Sequence, residues 1–302
     1  MKKNALLALA GAILLLPAAL ALPAAPAAAT EIAAAPAALA VPLPADIKSR
    51  GKLTIGVKCD YPPFGYVDSA GKNIGFEIDV VRELAKEAFG SPDAVDLVCV
   101  SGPNRIPYIT SGRVDGVASV LSWTPDRAKI VGFSDPYFDS SIRMLVPMSS
   151  TIKDWPDIKG KTITTTSGGT QSIWLKKCMP DVQQMLFDNT ADSLAALKQG
   201  RAVAFPQDLT LLVGIVIRDP TLKIVGHSVA RGPFGVGVKL DNKAFAAWLN
   251  AAIADMTKRD FFWTTLAKWV PKDELGQFTS AVPRPGQPPI SYKEAEDIYK
   301  CD

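Results

Sequence analysis

Few residues in this chain could do chemistry. A single histidine, His227, excludes a His-rich metal site and argues against a Ser-His-Asp enzyme. The four cysteines, Cys59, Cys99, Cys178 and Cys301, lack CxxC spacing, so no zinc or dithiol redox motif is visible. Placed charge is what remains. Arg127 stands in Thr124-Pro125-Asp126-Arg127, and the planar fork of a guanidinium suits a carboxylate. The plainer reading is a surface arginine paired with Asp126. Asp208 ends the run Ala202–Asp208, and a carboxylate just past a strand end faces the mouth of a sheet. The plainer reading is an N-cap for the apolar stretch Leu209–Ile217. Thr170 follows Gly168-Gly169 at a helix start, where a hydroxyl and a backbone N–H can meet an anion or simply cap the helix.

The elements that position these residues alternate. Lys52–Lys58 is β-rich and runs into the turn-forming Asp60-Tyr61-Pro62-Pro63. Glu77–Phe89 places Ile78, Val81, Leu84, Ala85 and Ala88 on one helical face, and Gly90 ends it. Strands are expected at Ala94–Val100 and Val117–Leu121, with a short helix at Arg105–Ser111. The alternation restarts at Thr162–Thr166 and continues as helix Thr170–Cys178, strand Met185–Phe187, helix Ser193–Gln199, strand Ala202–Pro206 and helix Leu211–Ile217. Strands alternating with helices predict an α/β fold around mainly parallel sheets. Two successive units predict two lobes and a cleft.

The chain has 302 residues, enough for two domains at roughly 100–200 residues each, or one large one. Its net charge of +3 gives no basic signature for nucleic acid. Residues 1–45 hold 19 Ala and only Lys2, Lys3 and Glu31 as charges. A charged start, an apolar run Ala5–Leu22 and Ala27-Ala28-Ala29 read as a secretory signal peptide cut after Ala29, with Ala21 as the alternative. An uncleaved membrane anchor is the competing reading. Removing 1–29 leaves 31 basic and 30 acidic residues, a nearly neutral chain in a compartment that permits disulfides. Residues 30–45 read as an Ala/Pro-rich lead-in, flexible or semi-extended.

Seven motifs in order carry a family resemblance: Gly51–Gly65, Gly75–Asp79, Asn104–Asp115, Thr124–Phe138, Ile158-Lys159-Gly160-Lys161, Ser167–Thr170 and Gly200–Asp208. The series resembles the bacterial extracellular solute-binding proteins of family 3, the amino-acid receptors of ABC importers. The resemblance implies a two-lobed periplasmic binding protein fold (type II), with each lobe a mainly parallel sheet flanked by helices. By that reading residues 46–139 and 235–302 form lobe 1 and 140–234 lobe 2. Two hinge strands cross near Ser140–Val146 and Gly232–Val238. It further implies a monomer in the periplasm that closes on an amino acid and hands it to an inner-membrane permease, with no cofactor, no metal and no nucleic-acid partner.

Carried over residue by residue, Arg127 clamps the ligand carboxylate and Asp208 takes its ammonium. Ser122 and Thr170 add contacts to the carboxylate, while Val120 removes a hydroxyl the family often has. Tyr61 and Phe76 match aromatic walls, each with core packing as the plainer reading. Trp123 reads equally as a further wall or as surface. Lys58, three residues before Tyr61, resembles the basic residue of glutamate/aspartate receptors. With the Asn104-Arg105-Ile106-Pro107 and Gly200–Phe205 stretches, it favours an acidic ligand, with polar neutral amino acids next. A solvated lysine is the alternative. Two disulfides are open to test: Cys59–Cys99, at the ends of strands expected to be neighbours, or two buried thiols; and Cys178–Cys301, which would bring a tail beyond the usual family end back onto lobe 2. The tail Ala281–Asp302, with four prolines, is expected to be mostly extended, with a short helix in Ser291–Tyr299. The same fold also hosts enzymes. The rival expectation is a secreted dehydratase resembling cyclohexadienyl dehydratase, acting on prephenate or arogenate.

Overall fold

The computed structural model describes residues 39–295, 300 and 301. The expected signal peptide lies outside them. Leu39, Val41 and Leu43 of the lead-in pack against the main core, because apolar side chains are covered there.

The chain first builds α1 (Ala45–Arg50), β1 (Leu53–Val57), β2 (Asp60–Tyr61), β3 (Gly65–Val67), β4 (Asn73–Ile74), α2 (Phe76–Phe89), β5 (Val95–Cys99), α3 (Arg105–Thr110), β6 (Gly116–Ala118), α4 (Pro125–Ala128) and β7 (Val131–Phe133). It then crosses on β8 (Phe138–Pro147) and builds β9 (Thr162–Thr166), α5 (Thr170–Cys178), β10 (Gln183–Phe187), α6 (Thr190–Lys198), β11 (Phe205–Asp208) and α7 (Leu209–Val216). It returns on β12 (Leu222–Phe234) to β13 (Gly237–Lys239), α8 (Lys243–Lys258) and α9 (Phe261–Trp269).

The first lobe is a five-stranded sheet in the order β5-β1-β6-β13-β7. β5, β1 and β6 are parallel, and the returning β13 runs antiparallel between β6 and β7. Of the apolar face expected on α2, Ile78, Val81, Leu84 and Ala85 are buried. The helix stops where the Gly90 N–H, in a left-handed turn at φ 74°, bonds Lys86 O. The second lobe holds the parallel pair β9–β10 and an antiparallel set, β11-β8-β12. Its own core gathers Ile142, Met144, Trp155, Ile163, Trp174 and Leu175. The antiparallel pairing arises because β8 and β12 carry the chain across and back, side by side, from Phe138↔Phe234 to Pro147↔Leu222.

Both disulfides are formed. Parallel register pairs Val57 with Cys99, so Cys59, two residues on, reaches Cys99 at a Cα separation of 5.5 Å. Cys178, at the end of α5, joins Cys301 with Cα atoms 5.2 Å apart. Both separations fall inside the range a disulfide needs. Among the described tail residues, the helical piece is one 3₁₀ turn, Tyr292–Ala295.

Candidate functional site

The cleft lies between the carboxyl ends of β1 and β6 on one lobe and the start of α5 with the end of β11 on the other. A small cavity of ≈ 30 Å³ there is lined by Lys58, Tyr61, Arg105, Val120 and Ser122 from the first lobe. Thr170, Gln171, Thr190, Gln207 and Asp208 line it from the second.

Asp208 is 6% exposed. β11 runs to Asp208 itself, beyond the expected end at Pro206, and α7 begins at the next residue. The aspartate makes no side-chain cap for α7, so the capping reading does not describe it. Its Oδ2 accepts a hydrogen bond from the Tyr61 hydroxyl at 3.2 Å, from lobe to lobe. Burial pushes its pKa from 3.8 up to about 6, with Tyr61, Arg105 and Arg127 pulling the other way. Burial and the Asp208 charge drive the Tyr61 phenol well above its usual range, so it stays a neutral donor.

Arg127 sits on the one-turn α4, started by Pro125 and capped by Thr124, whose Oγ1 accepts from Arg127 N at 3.1 Å. Its guanidinium donates to Ser122 O at 2.6 Å and to Gly168 O at 2.8 Å. It bridges the lobes at the cleft rim and is outside the set lining the small cavity. Arg105 does line that cavity. It is 5% exposed, donates to Ser119 O and Val120 O, and reaches Gly168 O at 3.1 Å. Two guanidiniums thus converge on one carbonyl oxygen, an anion-seeking corner. The Asn104–Pro107 motif was the signal for Arg105, but nothing in the sequence said that the short α3 would aim it inward.

Arg105 is held from beneath. Glu77, fully buried on α2, accepts from Val120 N at 2.8 and 3.0 Å and from the Tyr137 hydroxyl at 2.5 Å. Val120 is left-handed at φ 46°, an uncommon state for a β-branched residue, and its carbonyl is one that Arg105 grips. Burial raises the Glu77 pKa to about 7; Tyr137, the Val120 N–H, Arg105 and Lys58 oppose that.

Gly169 takes the N-cap position of α5, leaving Thr170 as the first helical residue with no capping duty for its side chain. Gln171 and Gln207 both donate to Thr166 Oγ1, at 3.0 and 2.9 Å. Sequence reasoning passed over both, although a glutamine in the wholly buried β11 signals a polar task. Three lining residues keep a buried polar atom without a hydrogen-bond partner: Arg105 Nε, Gln171 Oε1 and Thr190 Oγ1.

Lys58 lines the cavity at 6% exposure, with Asp60 Oδ1 at 3.0 Å. Burial lowers its pKa, and Asp60 resists that. Asp60 also accepts from Thr190 N of the other lobe at 3.0 Å. Phe76 and Trp123 are not among the residues lining the cavity. Phe76 is fully buried against Phe64 and Phe138, where core packing absorbs its whole ring. Trp123 turns the other way and stacks on Tyr292 of the tail at 5.4 Å.

Two lobes joined by paired crossing strands, with polar groups converging from both, define a type II periplasmic binding protein fold. The model of the bacterial extracellular solute-binding proteins, family 3, matches residues 53–272, and the chain belongs to that family. A glutamine-binding protein of Geobacillus stearothermophilus is 35% identical over 66% of this chain and 77% of its own length. The L-cystine-binding protein TcyJ of Escherichia coli K12 is 30% identical, over 75% and 85%. The solved structure of the solute receptor for L-cysteine of Neisseria gonorrhoeae superposes with a TM-score of 0.74 at 34% identity, covering 77% of this chain and 95% of that one.

Proposed function

We propose that this protein is a periplasmic receptor, acting as a monomer, that closes on a polar, uncharged-side-chain amino acid and delivers it to an ABC importer. The observation that carries the reading is the set of unpartnered buried atoms on Arg105, Gln171 and Thr190 around the buried carboxylate of Asp208. Each such atom costs about 1–3 kcal/mol unless something polar meets it. An α-ammonium goes to Asp208, positioned by Tyr61. The α-carboxylate goes to the corner where Arg105 and Arg127 converge, with Ser122 and Thr170. The ligand side chain faces Lys58, Gln171, Gln207 and Thr190. Contacts from both lobes exist together only when the lobes are shut, so ligand shifts the population to the closed form.

The expected preference for glutamate or aspartate gives way to glutamine, with cystine or cysteine next. Lys58 already has Asp60 as a counter-charge, so a second carboxylate there gains less. The relatives named for glutamine and cystine support the same order. That the relatives are named as binding proteins supports binding over the dehydratase reading. A thermal-shift screen of the amino acids with prephenate added, followed by calorimetry, tests this. Glutamine should raise the melting point by mass action. Arg127→Ala should weaken its binding by about 3–5 kcal/mol. Prephenate turnover, or undiminished binding by that variant, would reject the assignment.

A further inference from the structure

We propose that Glu77, a carboxylate the ligand never touches, makes the site select an amino acid with an uncharged side chain over one carrying a second carboxylate. The proposal rests on the receptor reading above and extends it to the choice between glutamine and glutamate. Lys58 and Arg105 are the cations lining the cavity, and each would draw an acidic side chain. Each is also answered by a carboxylate of the protein. Asp60 lies against Lys58 at 3.0 Å. Arg105 makes no ion pair among the described residues, and its guanidinium donates to the carbonyls of Ser119, Val120 and Gly168. Its negative partners act at longer range: burial lowers its pKa, and the charges of Asp208 and Glu77 oppose that. In the receptor reading Asp208 goes to the ligand ammonium, which leaves Glu77 as the standing counter-charge of Arg105.

The placement of Glu77 makes its charge felt without contact. It sits in the first turn of α2, fully buried, and is not among the residues lining the cavity. Both its oxygens accept from Val120 N, and the Tyr137 hydroxyl donates to Oε1. Val120 is the partition: its N–H meets Glu77, its carbonyl meets Arg105, and it lines the cavity. A charge buried in this way is screened far less than one at a surface. Losing it leaves the corner beside Arg105 one unit more positive. That favours a ligand with a net negative charge and adds little for a zwitterion, whose two charges offset. The charged and titratable groups facing Glu77 are Tyr137 from the segment before β8, Arg105 of α3, Lys58 after β1 and Tyr61 of β2. Both tyrosines are driven well above their usual range by burial and stay neutral donors. Glu77 itself titrates at about 7, so it is mostly neutral at about pH 6 and mostly ionised at about pH 8.

The test measures glutamate and glutamine dissociation constants by calorimetry, by displacement where binding is weak, at about pH 6 and about pH 8. The proteins are the full-length wild type, Glu77→Gln and Glu77→Asp. The readout is the glutamate constant divided by the glutamine constant, in which any loss shared by both ligands, Asp208 protonation included, cancels. At the higher pH this ratio should fall by roughly tenfold or more in Glu77→Gln and stay near the wild-type value in Glu77→Asp, which keeps the charge. In the wild type it should move toward the Glu77→Gln value as the pH is lowered, and in Glu77→Gln it should not move. The wild-type series needs no variant to fold. Equal weakening of both ligands in Glu77→Gln, with the ratio unchanged, would make Glu77 a support for the Val120 turn alone and overturn the proposal. A ratio that still changes with pH in Glu77→Gln would trace the effect to Lys58 and overturn it as well. If the wild type binds neither amino acid, the receptor reading fails and takes the proposal with it. If it binds glutamine and the ratio is fixed across variants and pH, the proposal alone fails.

Discussion

Replacing Asp208 by Asn should do two opposite things. The carboxylate is 6% exposed, and its pKa stands at about 6 against an ordinary 3.8. An acid whose folded pKa is raised binds its proton more tightly in the folded state than in the unfolded one. Stability therefore falls as pH rises from about 4 to about 6, and the loss is complete above that. The gap from 3.8 to about 6 corresponds to about 3 kcal/mol. Asn cannot ionise, keeps an oxygen for the Tyr61 hydroxyl, and is nearly isosteric. The variant should thus be more stable than the wild type by up to about 3 kcal/mol at pH 8 and little different at pH 3.5. Its affinity for an amino acid should fall by about 3–5 kcal/mol, because the ammonium would enter a buried site with no counter-charge. Chemical denaturation at both pH values, with calorimetry at pH 8, measures both effects. Equal or lower stability at pH 8 would refute the account of a strained, desolvated charge. Stabilisation with unchanged affinity would leave that account standing and remove Asp208 from the ligand's ammonium.

Other outcomes follow from the same geometry. Amino-acid binding near pH 6 should release protons, since a bound ammonium favours ionised Asp208; calorimetry in buffers of different ionisation enthalpy reads the number, and none released counts against the pairing. A Cβ on Gly102 would come within 2.0 Å of Ser167 O on the opposite lobe. Gly102→Ala should therefore leave the melting temperature without ligand nearly unchanged while weakening binding at least tenfold, about 1.4 kcal/mol. Phe76→Ala should cost about 3–5 kcal/mol of stability through the cavity it leaves among Phe64 and Phe138, shown by a lower denaturation midpoint.

Much of the scaffold was readable because it rests on local patterns. The apolar spacing of α2 and the Gly90 stop needed only neighbours a few residues apart. The turn chemistry after β1 likewise announced itself. Side-chain direction was another matter. Phe76 and Tyr61 are both aromatic and both almost fully buried, yet one is swallowed by aromatic packing and the other donates to Asp208. That difference is set by Phe64 and Phe138 on one side and by Asp208, 147 positions later in the chain, on the other. Trp123 was lost for the same reason, since its stacking partner Tyr292 belongs to a tail with no local pattern linking it to the cleft.

Alone, the sequence determined the alternating architecture, the ordered motifs of the family and a short list of charges able to hold a zwitterion. Tertiary structure decided which of those charges are spoken for. Lys58 has Asp60 beside it, Arg127 holds two carbonyls at the rim, and Arg105 rather than Arg127 lines the cavity above the buried Glu77. The reason is physical. Propensity and periodicity act over one or two turns of chain, whereas desolvation and charge pairing depend on which distant segments the fold brings within about 4 Å of each other.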